Sequence, residues 1–223
     1  MLTYIIKLLV KILKMKLFDL FDKTYCINLK HREDRLTSFN NEVIKFDLGN
    51  YERYDAILGS SIRENINSRL LDGEIGIIET NINILNESKK NKFNNVLIIE
   101  DDCYFTEDIV KINEFMKFVP DDWDMLYFGG NHNTHMNIKP PIHINDYVVK
   151  LHNTYSAHMV GIKSNLFDVI IPLLKNYDKQ IDVIYSELQK KYNVYSFYPG
   201  VAKQQSGYSD IQKQIVDYNW LIK

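Results

Sequence analysis

Along the chain, short apolar runs alternate with amphipathic stretches, and that alternation sets the expected elements. "KTYCINL" (23–29) is an apolar run that gives way to the charged "KHREDR", the pattern of a buried strand leaving the core for a polar loop or helix. In "RLTSFNNEVIKF", Leu36, Phe39, Val43 and Phe46 recur at helical spacing. "YERYDAIL" (51–58) reads as a second strand and loop. In "GEIGIIETNINILNESKK", Ile75, Ile78, Ile82 and Leu85 share one helical face. "NVLIIEDDCYF" (95–105) is a core strand, and "DIVKINEFMKFV" predicts a helix with Ile109, Ile112, Phe115, Met116 and Val119 inward. "DWDMLYFGG" (122–130) is a further strand that ends in two glycines. Alternation of this kind predicts an α/β fold with a mostly parallel central sheet flanked by helices.

The second half is less regular. "YVVKL" and "SAHMVGI" read as strands, and "SNLFDVIIPLL" as a helix opened by Ser164 and kinked or shortened by Pro172. "IDVIYSELQKKY" is a helix and "NVYSFYPG" a strand. The tail from Val201 is polar and then amphipathic. No repeat or linker divides the chain, so a single domain is expected over 21–223, preceded by an N-terminal amphipathic helix over 1–20. In that helix Lys7, Lys11 and Lys14 form one stripe among Ile and Leu. The lysines interrupt the apolar run too often for a spanning segment. The pattern suits a peripheral membrane contact, a homodimer contact, or packing on its own domain.

Composition narrows the function. The 223 residues are 45% hydrophobic and 25% charged, with a formal net charge of −2, which opposes a nucleic-acid binder needing a concentrated basic face. Two cysteines, Cys26 and Cys103, are too few for a disulfide framework or a zinc site and point to a reducing, cytoplasmic setting. Phosphate-loop, dinucleotide, HExxH and GxSxG signatures are absent.

What stands out is Glu100-Asp101-Asp102 at the end of a core strand. In open α/β sheets ligands bind at the carboxyl ends of strands. Carboxylate oxygens there suit Mn²⁺ or Mg²⁺, which are typically held by one or two carboxylates plus substrate phosphates. The bland alternative is a solvated strand end whose acids cap the next turn. The pair His132 and His135 reads as a solvated loop in preference to a metal site, and Gly129-Gly130 as a place where backbone can closely approach a bound ligand.

With "CINLKHREDR", "GEIG", "LIIEDD", "WDMLYFGG" and "YSDI" in this order, the chain resembles glycosyltransferase family 25 from about Lys23 to Ile211. That family includes lipooligosaccharide and collagen hydroxylysine glycosyltransferases. The resemblance implies a GT-A-like fold over 21–223, with a Rossmann-like central sheet, and metal-dependent, inverting transfer of galactose or glucose. The donor would be a UDP-sugar, and the acceptor a hydroxyl of a glycan or of a collagen-like hydroxylysine. It also implies roles: Asp102 as metal ligand, Glu100 facing the metal shell or the ribose, Asp101 beside them, and Asn28 and Leu29 as nucleotide-pocket residues. Arg32 and Arg35 would meet the diphosphate, unless they pair with carboxylates on a helix surface. Asp55 would meet the uracil or ribose. An inverting transfer needs a general base. Asp182 matches the family segment best, though it also reads as an acid at a helix N-terminus; Asp210 is the second candidate, or a neighbour of the donor phosphate. Gln204, Gln205 and Ser209 belong to a tail that would close over the nucleotide. Thr80 and Asn81 depart from the family's Ser-His, and His158 stands where Tyr is usual. These departures leave room for an inactive relative that binds a glycan or a partner.

Overall fold

A computed structural model describes residues 15–132 and 139–218. The lysine stripe at 7, 11 and 14, and His135, lie outside the described residues. Eight strands form one sheet in the order β2-β1-β3-β8-β5-β9-β7-β6. They are β1 (Lys23–Asn28), β2 (Glu52–Asp55), β3 (Asn95–Glu100), β5 (Met125–Tyr127), β6 (Ile142–His143), β7 (Val148–Lys150), β8 (Met159–Lys163) and β9 (Val194–Phe197). β2, β1 and β3 pair in parallel, as do β5 and β9. β8 runs antiparallel between β3 and β5, and β7 antiparallel to β9 and β6. Six strands therefore point one way and two the other, a mixed α/β fold whose central sheet is mostly parallel in direction.

Both faces are covered, which is why these strands read as continuous apolar runs. Along β3, Val96 and Ile98 face one core, while Leu97 and Ile99 face the other. Helices α2 (Asp72–Lys90), α4 (Phe167–Leu174) and α5 (Ile181–Leu188) pack on the first face. The second carries α1 (Glu33–Phe46), the short α3 (Ile112–Phe115) and a 3₁₀ turn over Leu17–Leu20. In that turn Leu17 and Phe18 are buried, and Phe18 N–H donates to Leu48 O at 2.9 Å, so residues 17–20 belong to the globular core. Both cysteines are free and buried.

Several elements differ from the apolar pattern. The helix expected over 108–119 is broken into 3₁₀ turns on either side of four α-helical residues, with Val110 and Phe118 left exposed. Pro172 is carried inside α4, whose first turn is preceded by a 3₁₀ turn at Ser164–Leu166; Ser164 makes no capping bond. Short strands β4 (Cys103–Phe105) and β10 (Ala202–Gln204) pair with each other, and the tail folds into a hairpin, β11 (Gly207–Ser209) with β12 (Gln214–Val216).

Candidate functional site

The carboxyl ends of β1 and β3 open into a cavity of about 270 Å³. This is the place where parallel strand ends leave a crevice for ligands. Ile27 and Leu29 form its floor beside Glu100, Asp101 and Asp102. One wall is the segment Ala56–Ser60 with the start of α2; the other is the tail, from Gln204 through Tyr208, Ser209 and Asp210 to Lys213 and Tyr218.

The glycines of α2 explain how the walls come so close. A Cβ on Gly76 would sit 2.4 Å from Ile57 O, and one on Gly73 would sit 2.4 Å from Ile211 Cα. One helical turn thus lets the loop and the tail approach side by side. Glu74, between them, bonds back to the Leu71 N–H at 2.7 Å, closing the exposed N-terminus of the helix. Thr80 accepts from Ile57 N–H at 2.9 Å and donates to Gly76 O at 2.7 Å, which fixes the loop to the helix. Asn81 donates to Ile77 O at 2.9 Å. Thr80 and Asn81 therefore support the wall.

The acidic strand end is held by an internal lattice of polar contacts. Asn28, almost fully buried, donates to Asp101 Oδ2 at 2.7 Å and to Arg32 O at 2.9 Å, and accepts from Arg53 Nε at 2.9 Å. Arg35 reaches Asp101 Oδ1 at 3.0 Å, lies 3.5 Å from Asp102 Oδ2, and donates to Tyr208 O at 2.6 Å. Gln204 Nε2 lies 3.4 Å from Glu100 Oε2, and Gln205 N–H donates to Asp102 O at 2.8 Å. Asp102 Oδ1 is buried without a partner among the described residues.

Burial and crowding act together on these carboxyls. Burial first, then the charges of Asp102 and Asp101, push Glu100 well above the usual carboxylate range. Burial raises Asp102 to about 6 against the opposing pull of Arg35. Asp101 is raised by burial while Asn28 and Arg35 hold it down. Carboxyls forced together out of water resist ionising, and a cation is what would relieve them.

Other expected residues fall in different places. Arg32 does not line the cavity: it pairs with Asp34 at 2.8 Å and with Asp210, tying the tail to the start of α1. Asn28 lies under the cavity as a support for Asp101. Asp55 is exposed at the end of β2, paired with Arg53 at 2.7 Å, and its neighbour Ala56 lines the wall instead. Leu29, Arg35 and Asp210 do line it. Asp182 lies outside the lining, at the start of α5. It accepts from Val183 N–H at 2.9 Å, and burial raises its pKa; its charge is among the causes that raise Glu100.

Gln189, the residue that follows α5, clasps the backbone of Thr154 with bonds of 2.8 and 2.7 Å. Thr154 in turn holds His132 Nδ1 at 2.9 Å. His132 is thus a half-buried, partnered side chain, where a solvated loop was expected. His158 is buried against Ala202 O at 3.2 Å, and burial lowers its pKa to about 4. The glycine pair permits close packing: a Cβ on Gly129 would lie 2.0 Å from Ala202 O, and one on Gly130 2.6 Å from Thr154 Cγ2.

The pattern gave no sign of the Ala56–Ser60 wall, His31, Tyr208, Lys213 or Tyr218. Gly59 was the available signal: a Cβ there would lie 1.6 Å from Asp72 O, so only glycine permits the crossing.

No protein-family model matches the chain. Procollagen galactosyltransferase 1-A of Xenopus laevis is 25% identical over 130 residues, covering 49% of this chain. The chain spans about a fifth of that relative's length (21%). Among solved structures, a glycosyltransferase involved in glycosylation of the major capsid of PBCV-1 has a TM-score of 0.41 at 8% identity, covering 69% of this chain and 65% of its own. A197 from STIV has a TM-score of 0.39 at 11% identity, covering 78% and 81%. These are likenesses of outline alone, and the chain is similar to a galactosyltransferase over about half its length.

Proposed function

We propose that this chain is a glycosyltransferase that takes galactose or glucose from a UDP-sugar and transfers it, with inversion, to a hydroxyl acceptor. One observation carries the reading: a crevice at the ends of β1 and β3 gathers Glu100, Asp101 and Asp102 beneath a tail that folds over them. The base and ribose fit the side lined by Leu29, Ala56, Ile57 and Ile77, which is apolar, while the diphosphate faces the acidic floor. The similarity to a procollagen galactosyltransferase supports galactose as donor sugar and a hydroxylysine-type hydroxyl as acceptor.

Among the described residues, no three His, Cys, Asp or Glu side chains form a ready metal cage. The residues nevertheless fit a divalent ion of the Mn²⁺ or Mg²⁺ kind. Such ions use one or two carboxylates and fill the remaining positions with phosphate and water. Asp102, with its unpartnered Oδ1, and Glu100, crowded by like charge, are the residues that would hold it. Bound there, the ion would neutralise charge on the leaving diphosphate.

The acceptor hydroxyl needs a base on the face away from the diphosphate. Asp182 fits by its chemistry: it stands beyond the cavity lining, close enough to Glu100 for their charges to interact, with a pKa raised by burial. Asp210 is less suited, because its carboxylate is engaged by Arg32. The test is UDP release from UDP-galactose and UDP-glucose with Mn²⁺ and a hydroxylysine or galactoside acceptor. Asp102→Asn should abolish release, and Asp182→Asn should slow it by roughly 10²–10⁴-fold while donor affinity holds. Saturable donor binding with no turnover on any acceptor would favour a binding module instead.

A further inference from the structure

The tail supplies a cation whose position is set by a built turn. Lys213 adopts a left-handed backbone, φ +53°, which non-glycine residues seldom occupy. Two bonds to Ser209 hold it there: Lys213 N–H donates to Ser209 O at 2.7 Å, and Gln212 N–H to Ser209 Oγ at 3.2 Å. Ser209 is itself buried, and the Arg32–Asp210 pair fastens the same turn to α1. The turn places Lys213 on the cavity wall.

The charges around it make this placement informative. Asp72, Glu100, Asp101, Asp102 and Asp210 line the same cavity, yet no carboxylate among the described residues lies within ion-pair distance of Lys213. The other strong cation of the lining, Arg35, is already engaged by Asp101, Asp102 and Tyr208 O. Lys213 is exposed, and its ammonium is open to an anion that enters between it and the acidic floor.

We propose that Lys213 is the donor's diphosphate-binding cation, delivered by the tail hairpin to the phosphates from the side opposite Glu100–Asp102. The inference rests on the nucleotide reading above and adds to it which group of the chain answers the phosphate charge. Lysine serves this purpose as a compact point charge that needs no planar partner. Because hairpin and cation arrive together, phosphate binding also holds the tail closed.

The test is titration of the full chain with UDP, UMP, uridine and inorganic pyrophosphate, each with Mn²⁺ present. Lys213→Gly is the primary variant, since glycine accepts the left-handed turn while removing the side chain with its charge; Lys213→Arg restores the charge. Loss of one exposed charge-assisted contact should weaken UDP by about fivefold to tenfold. Uridine should be unchanged, UMP affected less than UDP, and the arginine variant should recover most of the loss. Raising salt should shrink the gap between parent and Lys213→Gly. If the parent binds UDP and Lys213→Gly binds it equally well, the assignment is overturned while the nucleotide reading stands. If pyrophosphate alone shows the whole effect and uridine does not bind, the site is for a free phosphate and the nucleotide reading falls. If the parent binds none of the four, both are wrong.

Discussion

Gly73 and Gly76 sit one turn apart on α2 and face different segments, so alanine at each should produce opposite outcomes. A methyl on Gly76 would lie 2.4 Å from Ile57 O and 2.9 Å from Gly59 N, both backbone atoms. That loop has little freedom to retreat, because Thr80 Oγ1 holds Ile57 N–H at 2.9 Å. Overpacking of this kind costs about 1–3 kcal/mol. Alanine returns up to ~1 kcal/mol through helix propensity. A net loss of about 1–2 kcal/mol lowers Tm by about 2–8 °C in a chain of this size. A methyl on Gly73 meets Ile211 Cα, in a hairpin that can swing away without unpacking the core. Gly73→Ala should keep Tm within about 2 °C of the parent. It should also weaken UDP about tenfold, near 1.4 kcal/mol, as the tail is propped open. Thermal melts with and without UDP separate the two effects. Equal loss of stability in both variants would refute the reasoning, as would a Gly76→Ala protein as stable as the parent.

Asp102 gives a prediction with a sign. Its native pKa, raised to about 6, means that the native state favours the protonated form, so this contribution to stability is full at low pH and is lost as pH rises through 6. Asp102→Asn should therefore melt higher than the parent at pH 7, and the advantage should vanish below pH 4; a lower Tm at pH 7 would refute this. Without UDP, Mn²⁺ binding by the parent should strengthen between pH 5 and 7 and be lost in Asp102→Asn, read by calorimetry. Gln189→Ala leaves the backbone N–H and C=O of buried Thr154 without their partners, at a cost of about 1–3 kcal/mol, and should reduce acceptor affinity more than donor affinity in initial-rate assays. Removing residues 1–14 should leave UDP binding intact while changing liposome sedimentation or oligomeric state, as their lysine stripe suggests.

The elements legible in the sequence were those whose burial is continuous. β1, β3, α1 and α2 follow directly from the apolar runs and the 3.6-residue spacing of Ile75, Ile78, Ile82 and Leu85. The acidic strand end was legible too, because three carboxylates after Ile99 contradict a core position unless they face a site. Strand direction was less so. β8 is buried on both faces like its parallel neighbours, so its pattern carries no sign that it runs against β3 and β5. The 3₁₀ breaks around α3 leave its apolar spacing intact, so periodicity alone promised a longer helix. Residues that act through contacts distant in sequence were the hardest to place. The resemblance implied ligand contacts for Asn28 and Arg32, with pairing to a carboxylate on a helix surface as the alternative for Arg32. Their partners, Asp101 and Asp210, are 73 and 178 residues away and turn them into supports. The wall of Ala56–Ser60 has ordinary residues whose role follows only from the close crossing at Gly59 and Gly76.

The central claim is that a nucleoside diphosphate occupies the crevice between the Ala56–Ser60 loop, the acidic end of β3 and the tail. Hydrogen exchange of the full chain with and without UDP and Mn²⁺ tests this location most directly. Slowed exchange should appear at residues 29–35, 56–60, 100–103 and 204–213, with the β5–β9 region and α4 unchanged. Slowed exchange confined to other segments, or none at saturating UDP, would contradict it.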